Sequence, residues 1–224
     1  MPPALQLCHV FSFVEPGAPE ADALHRAGLK ESFRRRHPGQ GTANACYCFD
    51  NAYLELLWVE SAQEIASPPI ARTRLAERAR WRETGASPFG IAVRTADPDT
   101  PLPFATWTFT PPYLPPGLTI PVATASEAPE HPFLFRSPGH ARPDAWTDGR
   151  AGDRQRPAGF ADLHGVHLRL PVPPPAGDAL HALEAAGLLT VGIVAGAAPE
   201  MILELSRTDG KPPRRLSLPD LRWL

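Results

Sequence analysis

His37-Pro-Gly-Gln-Gly-Thr-Ala-Asn-Ala-Cys-Tyr-Cys-Phe-Asp-Asn-Ala-Tyr-Leu-Glu-Leu-Leu-Trp-Val-Glu60 is the stretch whose reading decides the fold. It begins as a polar, glycine-punctuated loop and continues as a β-hairpin. Cys46-Tyr-Cys-Phe49 and Tyr53-Leu-Glu-Leu-Leu-Trp-Val59 are two β-prone runs, and Asp50-Asn51-Ala52 supplies the turn between them. The second run is almost wholly apolar, which predicts a strand covered on both faces. Glu55 stands in its middle, and a buried carboxylate is costly unless it is paired, protonated or bound to a cation. The residues that face Glu55 therefore matter most.

Working outward, the 224-residue chain is long enough for one substantial core or two small ones. Its formal net charge of −2 gives no electrostatic reason to expect nucleic acid or an anionic membrane as a partner. No apolar run is long enough to span a bilayer, and Met1 to Leu7 does not open like a secretory signal. Cys46 and Cys48 would share one strand face, a poor disulfide geometry, so a reducing, cytoplasmic setting is expected. The chain holds 29 prolines, more than twice the roughly 5% average, and their clustering from Pro98 to Pro143 marks a long irregular middle.

Before the central stretch, Leu5 to Val14 reads as a strand. Strict alternation sends Cys8, Val10, Ser12 and Val14 one way and Leu7, His9, Phe11 and Phe13 the other. Pro19 to Ala27 is a short helix closed by Gly28, and Leu29 to Arg36 is a strand ending in Arg34-Arg-Arg36. The order to residue 60 is thus β-α-β-β-β. After it, Ser61 to Thr84 is helix-compatible and Ser87 to Arg94 opens a new strand. Short strand candidates follow at 105–109, 118–122 and 131–135, with the stiff Thr110-Pro-Pro-Tyr-Leu-Pro-Pro-Gly117 between the first two. The expected division is a first module over 1–62, a helical connector over 63–84, a divergent proline-rich module over 85–143, a linker over 144–161 and a shortened third module over 162–224.

That third segment echoes the first. Cys8-His9-Val10 aligns with Val166-His167-Leu168, Asp22-Ala-Leu-His25 with Asp178-Ala-Leu-His181, and Leu54-Glu55-Leu56 with Leu203-Glu204-Leu205. Each copy carries a His in its first strand and a Glu in a later one. The interval from Gly187 to Glu204 is shorter than that from Gly28 to Glu55, by about one strand.

The His9 strand, the helix ending at Gly28, His37 to Asn44, and Tyr53-Leu-Glu-Leu-Leu57 together resemble the vicinal oxygen chelate superfamily, specifically its glyoxalase-like group. Ser87-Pro-Phe-Gly-Ile-Ala-Val-Arg94 is similar to the opening of a second module in that group. The resemblance implies an α+β fold of βαβββ modules whose curled mixed sheets enclose a cup. In the superfamily's enzymes the cup holds a divalent metal, bound by a His or Gln from a module's first strand and a Glu from its last. Carried onto this chain, the pattern falls on His9 and Glu55. In the middle segment it falls on Gly90, with no carboxylate near Phe133-Leu-Phe135. If the first and third modules form the cup, His9, Glu55, His167 and Glu204 make a two-His, two-Glu set suited to Zn, Fe, Mn or Ni.

Two functions follow from the resemblance. One is a metal-dependent lyase, isomerase or dioxygenase acting on a small oxygen-rich substrate, with Glu55 as the catalytic carboxylate. The other is a metal-free module that sequesters a small molecule. In either case His37, Gln40, Thr42, Asn44, Tyr53, Trp58, Trp107 and Tyr113 are the candidate pocket residues. The bland alternatives are a hydrogen-bonded core histidine, a Glu55 paired with an arginine, glycines serving only a tight turn, and tryptophans packed in the core. Pairing of modules between chains would make a homodimer. The sequence carries no Walker loop, no G-x-G-x-x-G, no G-x-S-x-G elbow and no zinc-finger spacing.

Overall fold

In a computed structural model that describes residues 5–97, 99–175 and 177–224, the first module runs β1 (Leu5–Phe13), α1 (Asp22–Arg26), β2 (Phe33–His37), β3 (Thr42–Cys48) and β4 (Tyr53–Val59). Four short helices follow: α2 (Ala62–Ile65), α3 (Pro68–Ala71), α4 (Leu75–Ala79) and α5 (Trp81–Thr84). The second module is β5 (Phe89–Thr95), β6 (Thr106–Phe109), β7 (Ile120–Ala123) and β8 (Phe133–Arg136). The third is β9 (Phe160–Leu170), α6 (Ala179–Ala185), β10 (Thr190–Ile193), β11 (Glu200–Arg207), β12 (Arg214–Leu218) and β13 (Arg222–Trp223). Pro98, where the proline-rich middle was read to begin, lies outside the described residues.

The first two modules share one eight-stranded sheet in the order β2-β3-β4-β1-β5-β8-β7-β6. Within each module the first and last strands are parallel neighbours, β1 with β4 and β5 with β8. The modules join through antiparallel pairing of β1 with β5, in which Phe11 opposes Gly90 and His9 opposes Ala92. A twofold taken through the Val10–Ile91 pair of this seam maps His9 onto Gly90 and Glu55 onto Phe135.

Alternation along β4 shows which face is which. Leu54, Leu56 and Trp58 enter a large core cluster that also holds Leu24 of α1 and the inner residues of the third module. Tyr53, Leu57 and Val59 face the other way, with a second cluster of Phe11, Phe13, Phe109, Phe133 and Phe135. The helical connector and the proline-rich loop stand on this second side. Gly41 shows why the loop before β3 needs glycine. Its φ is +79°, and a Cβ there would lie 2.5 Å from the Ile65 backbone nitrogen and the Ser61 carbonyl oxygen of the connector.

The third module does not complete the cup with the first. It forms its own sheet, β10-β9-β11-β12-β13, docked against the first module. The Asn51 side chain pairs with the Leu163 backbone in both directions, at 2.9 Å each. Asp50 takes Arg154 and Arg156, and the Gln155 amide bridges the Lys30 N–H and carbonyl at 2.9 Å each. The topology also departs from the expected echo. The chain leaving α6 returns as β10, parallel to β9, and Glu204 lies on β11, antiparallel to β9. Glu55 lies on a strand parallel to β1. The short interval after Gly187 accommodates only that one strand before β11.

Arg78 of α4 ties the connector to the second module. It is fully buried, and its guanidinium donates to the carbonyls of Ser87 (3.3 Å), Pro129 (3.0 Å), Ser126 (2.9 Å), Ala128 (3.4 Å) and His131. Burial pulls its pKa down to about 9, so it stays charged at neutral pH. No helix among the described residues is long and apolar enough to cross a membrane. Replacing Arg78 with Met keeps the volume and strands these carbonyls. The expected loss in unfolding free energy is roughly 3 kcal/mol or more, read from urea denaturation of the full chain.

Candidate functional site

The concave side of the eight-stranded sheet encloses a cavity of about 250 Å³. β1 contributes Cys8, His9 and Phe11, and β2 contributes Phe33, Arg35 and His37, its alternate residues. β3 adds Asn44, β4 adds Tyr53, Glu55 and Leu57, and the second module adds Phe109, Ile120, Phe133 and Phe135. Tyr113 and Leu114 close one side from the proline-rich loop, and the Tyr113 ring packs 4.5 Å from that of His37. Trp146 and Arg150 close another, with the Arg150 guanidinium 3.9 Å above the Trp146 ring.

His9 and Glu55 meet inside this cavity. His9 Nε2 lies 3.5 Å from Glu55 Oε2, and both side chains are under 10% exposed. The His9 ring is stacked on Tyr53 at 4.3 Å and meets the Phe135 ring edge-on at 5.4 Å. Asn44 Nδ2 donates to Glu55 Oε1 at 2.5 Å. Burial dominates both titrations, because the surrounding aromatic walls solvate charge poorly. It pushes Glu55 up to about 7, against the Asn44 hydrogen bond and the Arg35 charge. It pulls His9 down to about 3, aided by the positive charges of Arg94, His37 and Arg35. At neutral pH the pair is a neutral imidazole beside a carboxyl poised between its two forms.

The remaining candidates divide. His37, Gln40, Asn44, Tyr53 and Tyr113 line the cavity. Thr42 sits behind them, its Oγ1 2.9 Å from both His37 Nδ1 and Gln40 Nε2. Trp58 does not reach the cavity, because it shares the opposite face of β4 with Leu54 and Leu56; the Arg34 guanidinium lies 5.0 Å over its ring. Trp107 is outside the lining too, half-buried under Arg72 at 4.4 Å.

His167 and Glu204 come together, but in the other sheet. His167 Nε2 is 3.4 Å from Glu204 Oε1, His167 Nδ1 is 2.8 Å from Thr190 Oγ1, and Arg215 Nε is 3.4 Å from the same Glu204 oxygen. The expected set of two His and two Glu is therefore split into two separate pairs. Among the described residues, no group of three or more His, Cys, Asp and Glu side chains is placed to hold a metal ion.

The donors of the cup do not fit the four-ligand centre that the resemblance implies. His9 and Glu55 supply one half. Across the seam their equivalents are Gly90, which has no side chain, and Phe135, which has no donor atom. The space is taken as well: a Cβ on Gly90 would lie 2.0 Å from the Phe11 ring. Phe11, Phe133 and Phe135 fill the half of the cup where the second pair of ligands would stand.

Several lining residues carry no mark in the sequence pattern. Arg35 has one, since it alternates with Phe33 and His37 along β2. Trp146 and Arg150 come from a stretch read as a linker and reach the cup only through tertiary packing. Cys8 was assigned to the other face of β1 from His9, yet both line the cavity.

A two-module mixed sheet curled around an aromatic and polar cup is a fold like that of the vicinal oxygen chelate proteins. Residues 7–101 match the family described as a glyoxalase-like domain. No curated protein matches the chain significantly. Among solved structures, one described as a hypothetical protein from Staphylococcus aureus is similar at 12% identity. The match covers 75% of this chain and 70% of that one, with a TM-score of 0.41.

The His9–Glu55 pair has a signature in stability against pH. Glu55 is raised from 4.5 to about 7, so its contribution is complete below 4.5 and is lost as pH rises through 7. His9 is lowered from 6.5 to about 3, so its contribution is complete above 6.5 and is lost as pH falls through 3. Between 4.5 and 6.5 the two slopes oppose and offset each other. Glu55→Gln should expose the His9 slope, with stability falling as pH drops from 6.5. His9→Gln should expose the other, with stability rising as pH drops from 7 to 4.5. Denaturation midpoints of the three proteins across that range check both signs.

Proposed function

We propose that the cup is a metal-free site for a small, largely apolar molecule. The carrying observation is the replacement of the second ligand pair by Gly90 and Phe135, with the Phe11 ring packed over the glycine. A cavity of about 250 Å³ with aromatic walls and a few convergent polar groups is the usual build of a small-molecule site. His37, Asn44, Glu55, Tyr53 and Tyr113 supply the orienting polar atoms. In this reading the glyoxalase-like fold serves binding, and Glu55, poised near neutrality, accepts from or donates to the ligand as its chemistry requires.

One observation favours the second reading, a metal-dependent lyase, isomerase or dioxygenase. His9 and Glu55 occupy the family's ligand positions in the first module and stand 3.5 Å apart. They supply two of the four donors that reading implies.

Elemental analysis of the untagged protein separates the two. The expected result is no stoichiometric Zn, Fe, Mn or Ni, none taken up on incubation, and quenching of tryptophan emission by an apolar probe that EDTA leaves unchanged. One equivalent of metal that disappears in His9→Ala or Glu55→Ala would overturn the metal-free reading.

A further inference from the structure

Arg34-Arg-Arg36 on β2 divides by strand parity. Arg34 pairs with Glu31 at 2.8 Å and Arg36 with Glu60 at 2.6 Å. Arg35 points the other way, between Phe33 and His37, and lines the cavity at its rim. Among the described residues no carboxylate pairs with it, although its two neighbours each have one. Its backbone N–H is fixed by Asn44 Oδ1 at 3.0 Å, the same Asn44 that donates to Glu55.

A second guanidinium reaches the same rim from a distant part of the chain. Arg150 lies 3.9 Å above the Trp146 ring and 5.9 Å from the centre of the Phe33 ring, and Arg35 lies 5.7 Å from that same centre. Phe33, Tyr53 and Trp146 contact one another, with centroids 5.8 to 6.1 Å apart. The two cations therefore rest on one cluster of three rings. An aromatic face holds a cation in place without cancelling its charge. Stacking also uses the flat faces of a guanidinium and leaves the N–H donors in its plane open to a planar anion. Asp148 approaches Arg150 only at Nε, at 3.3 Å.

The rest of the lining is short of negative charge. A bulge in β1 between Leu7 and His9 turns Cys8 inward beside His9, and neither adds an acid. Glu55 is the one acidic residue lining the cavity among the described residues, and Asn44 holds one of its oxygens. Across the sheet from Arg35, the second module presents Phe109, Ile120, Phe133 and Phe135. The cavity is thus apolar at one end and has two forked cations at the other. At about 250 Å³ it lies below the roughly 300–1,000 Å³ of drug-sized sites, which limits the occupant to one or two rings.

We infer that the cup binds a small apolar monocarboxylate, its carboxylate held between Arg35 and Arg150 and its apolar body against the phenylalanine wall. The inference rests on the cup being a small-molecule site and names the class of molecule it takes. One negative charge suits the site, because Glu55 stands close enough to oppose a second.

Calorimetric titration of the full chain with benzoate, 3-phenylpropanoate and 2-naphthoate, each beside its uncharged primary amide, tests this. The expected result is an acid that binds at least about tenfold more tightly than its amide. Arg35→Gln and Arg150→Gln should each weaken that acid about tenfold and leave the amide unchanged, which also reports an intact cup. Arg35→Lys keeps the charge without the fork and should recover only part of the loss. Arg34→Gln, on the opposite face of β2, should change neither. The inference is overturned if the acids bind no more tightly than the amides, if the Arg35 and Arg150 variants hold the acid as the parent does, or if Arg34→Gln weakens it equally. Should a variant fail to fold, the acid-to-amide ratio of the parent decides. Amides that match the acids sink the carboxylate and leave the cup reading standing. If acids, amides and the apolar probe all fail to bind, both readings fall.

Discussion

The antiparallel pairing of β1 with β5 turns two half-cups into one sheet, and the site depends on it. Each module contributes a curled half-sheet with one open face. Joined back to back along their first strands, the halves curl toward the same side and share a concave surface. The seam also decides what that surface can hold. It sets Phe11 directly across from Gly90, and the ring takes the room that a glycine leaves. One half of the cup keeps a polar pair while the other becomes a phenylalanine wall.

That asymmetry sets the electrostatics. A carboxyl and an imidazole enclosed by aromatic rings lose solvation with little to replace it. Asn44 provides one strong hydrogen bond, and the positive charge of Arg35 acts on Glu55 from the rim. Neither offsets burial fully, so the carboxyl titrates near neutrality and the imidazole stays uncharged. The second sheet carries a chemically similar pair, His167 with Glu204, but there each side chain is more than a quarter exposed and Arg215 stands beside the carboxylate. The same residue types give an ordinary surface network in one sheet and a buried, desolvated pair in the other.

Much of the first module was legible because its strands are regular. Alternation in Tyr53 to Val59 separates Glu55 and Leu57 from Leu54 and Leu56, and the turn at Asp50 to Ala52 fixes the hairpin. The same alternation argues against Trp58 as a pocket residue, since it has the parity of Leu54. Cys8 was hidden for a different reason. A bulge belongs to a pair of strands, and its position depends on the partner, which lies more than eighty residues away. The third segment misled through composition: Asp178-Ala-Leu-His181 does belong to a helix resembling the one at Asp22, but the following strand pairs at once with β9 and places Glu204 on an antiparallel neighbour. Trp146 and Arg150 lie in a stretch without periodicity, where only tertiary packing shows their role.

Arg78 carries an implication for how this chain can change. All the carbonyls it donates to belong to the main chain of Ser87 and of residues between Ser126 and His131, so it recognises the path of those segments and none of their side chains. Residues there are free to drift in identity as long as the backbone keeps its course. An insertion or deletion is a different matter, since it would move several acceptors at once away from a buried cation. The far half of the cup hangs from those segments, through β8. Its walls can therefore be re-lined for a new ligand by substitution, while the length of the loops that suspend them stays fixed.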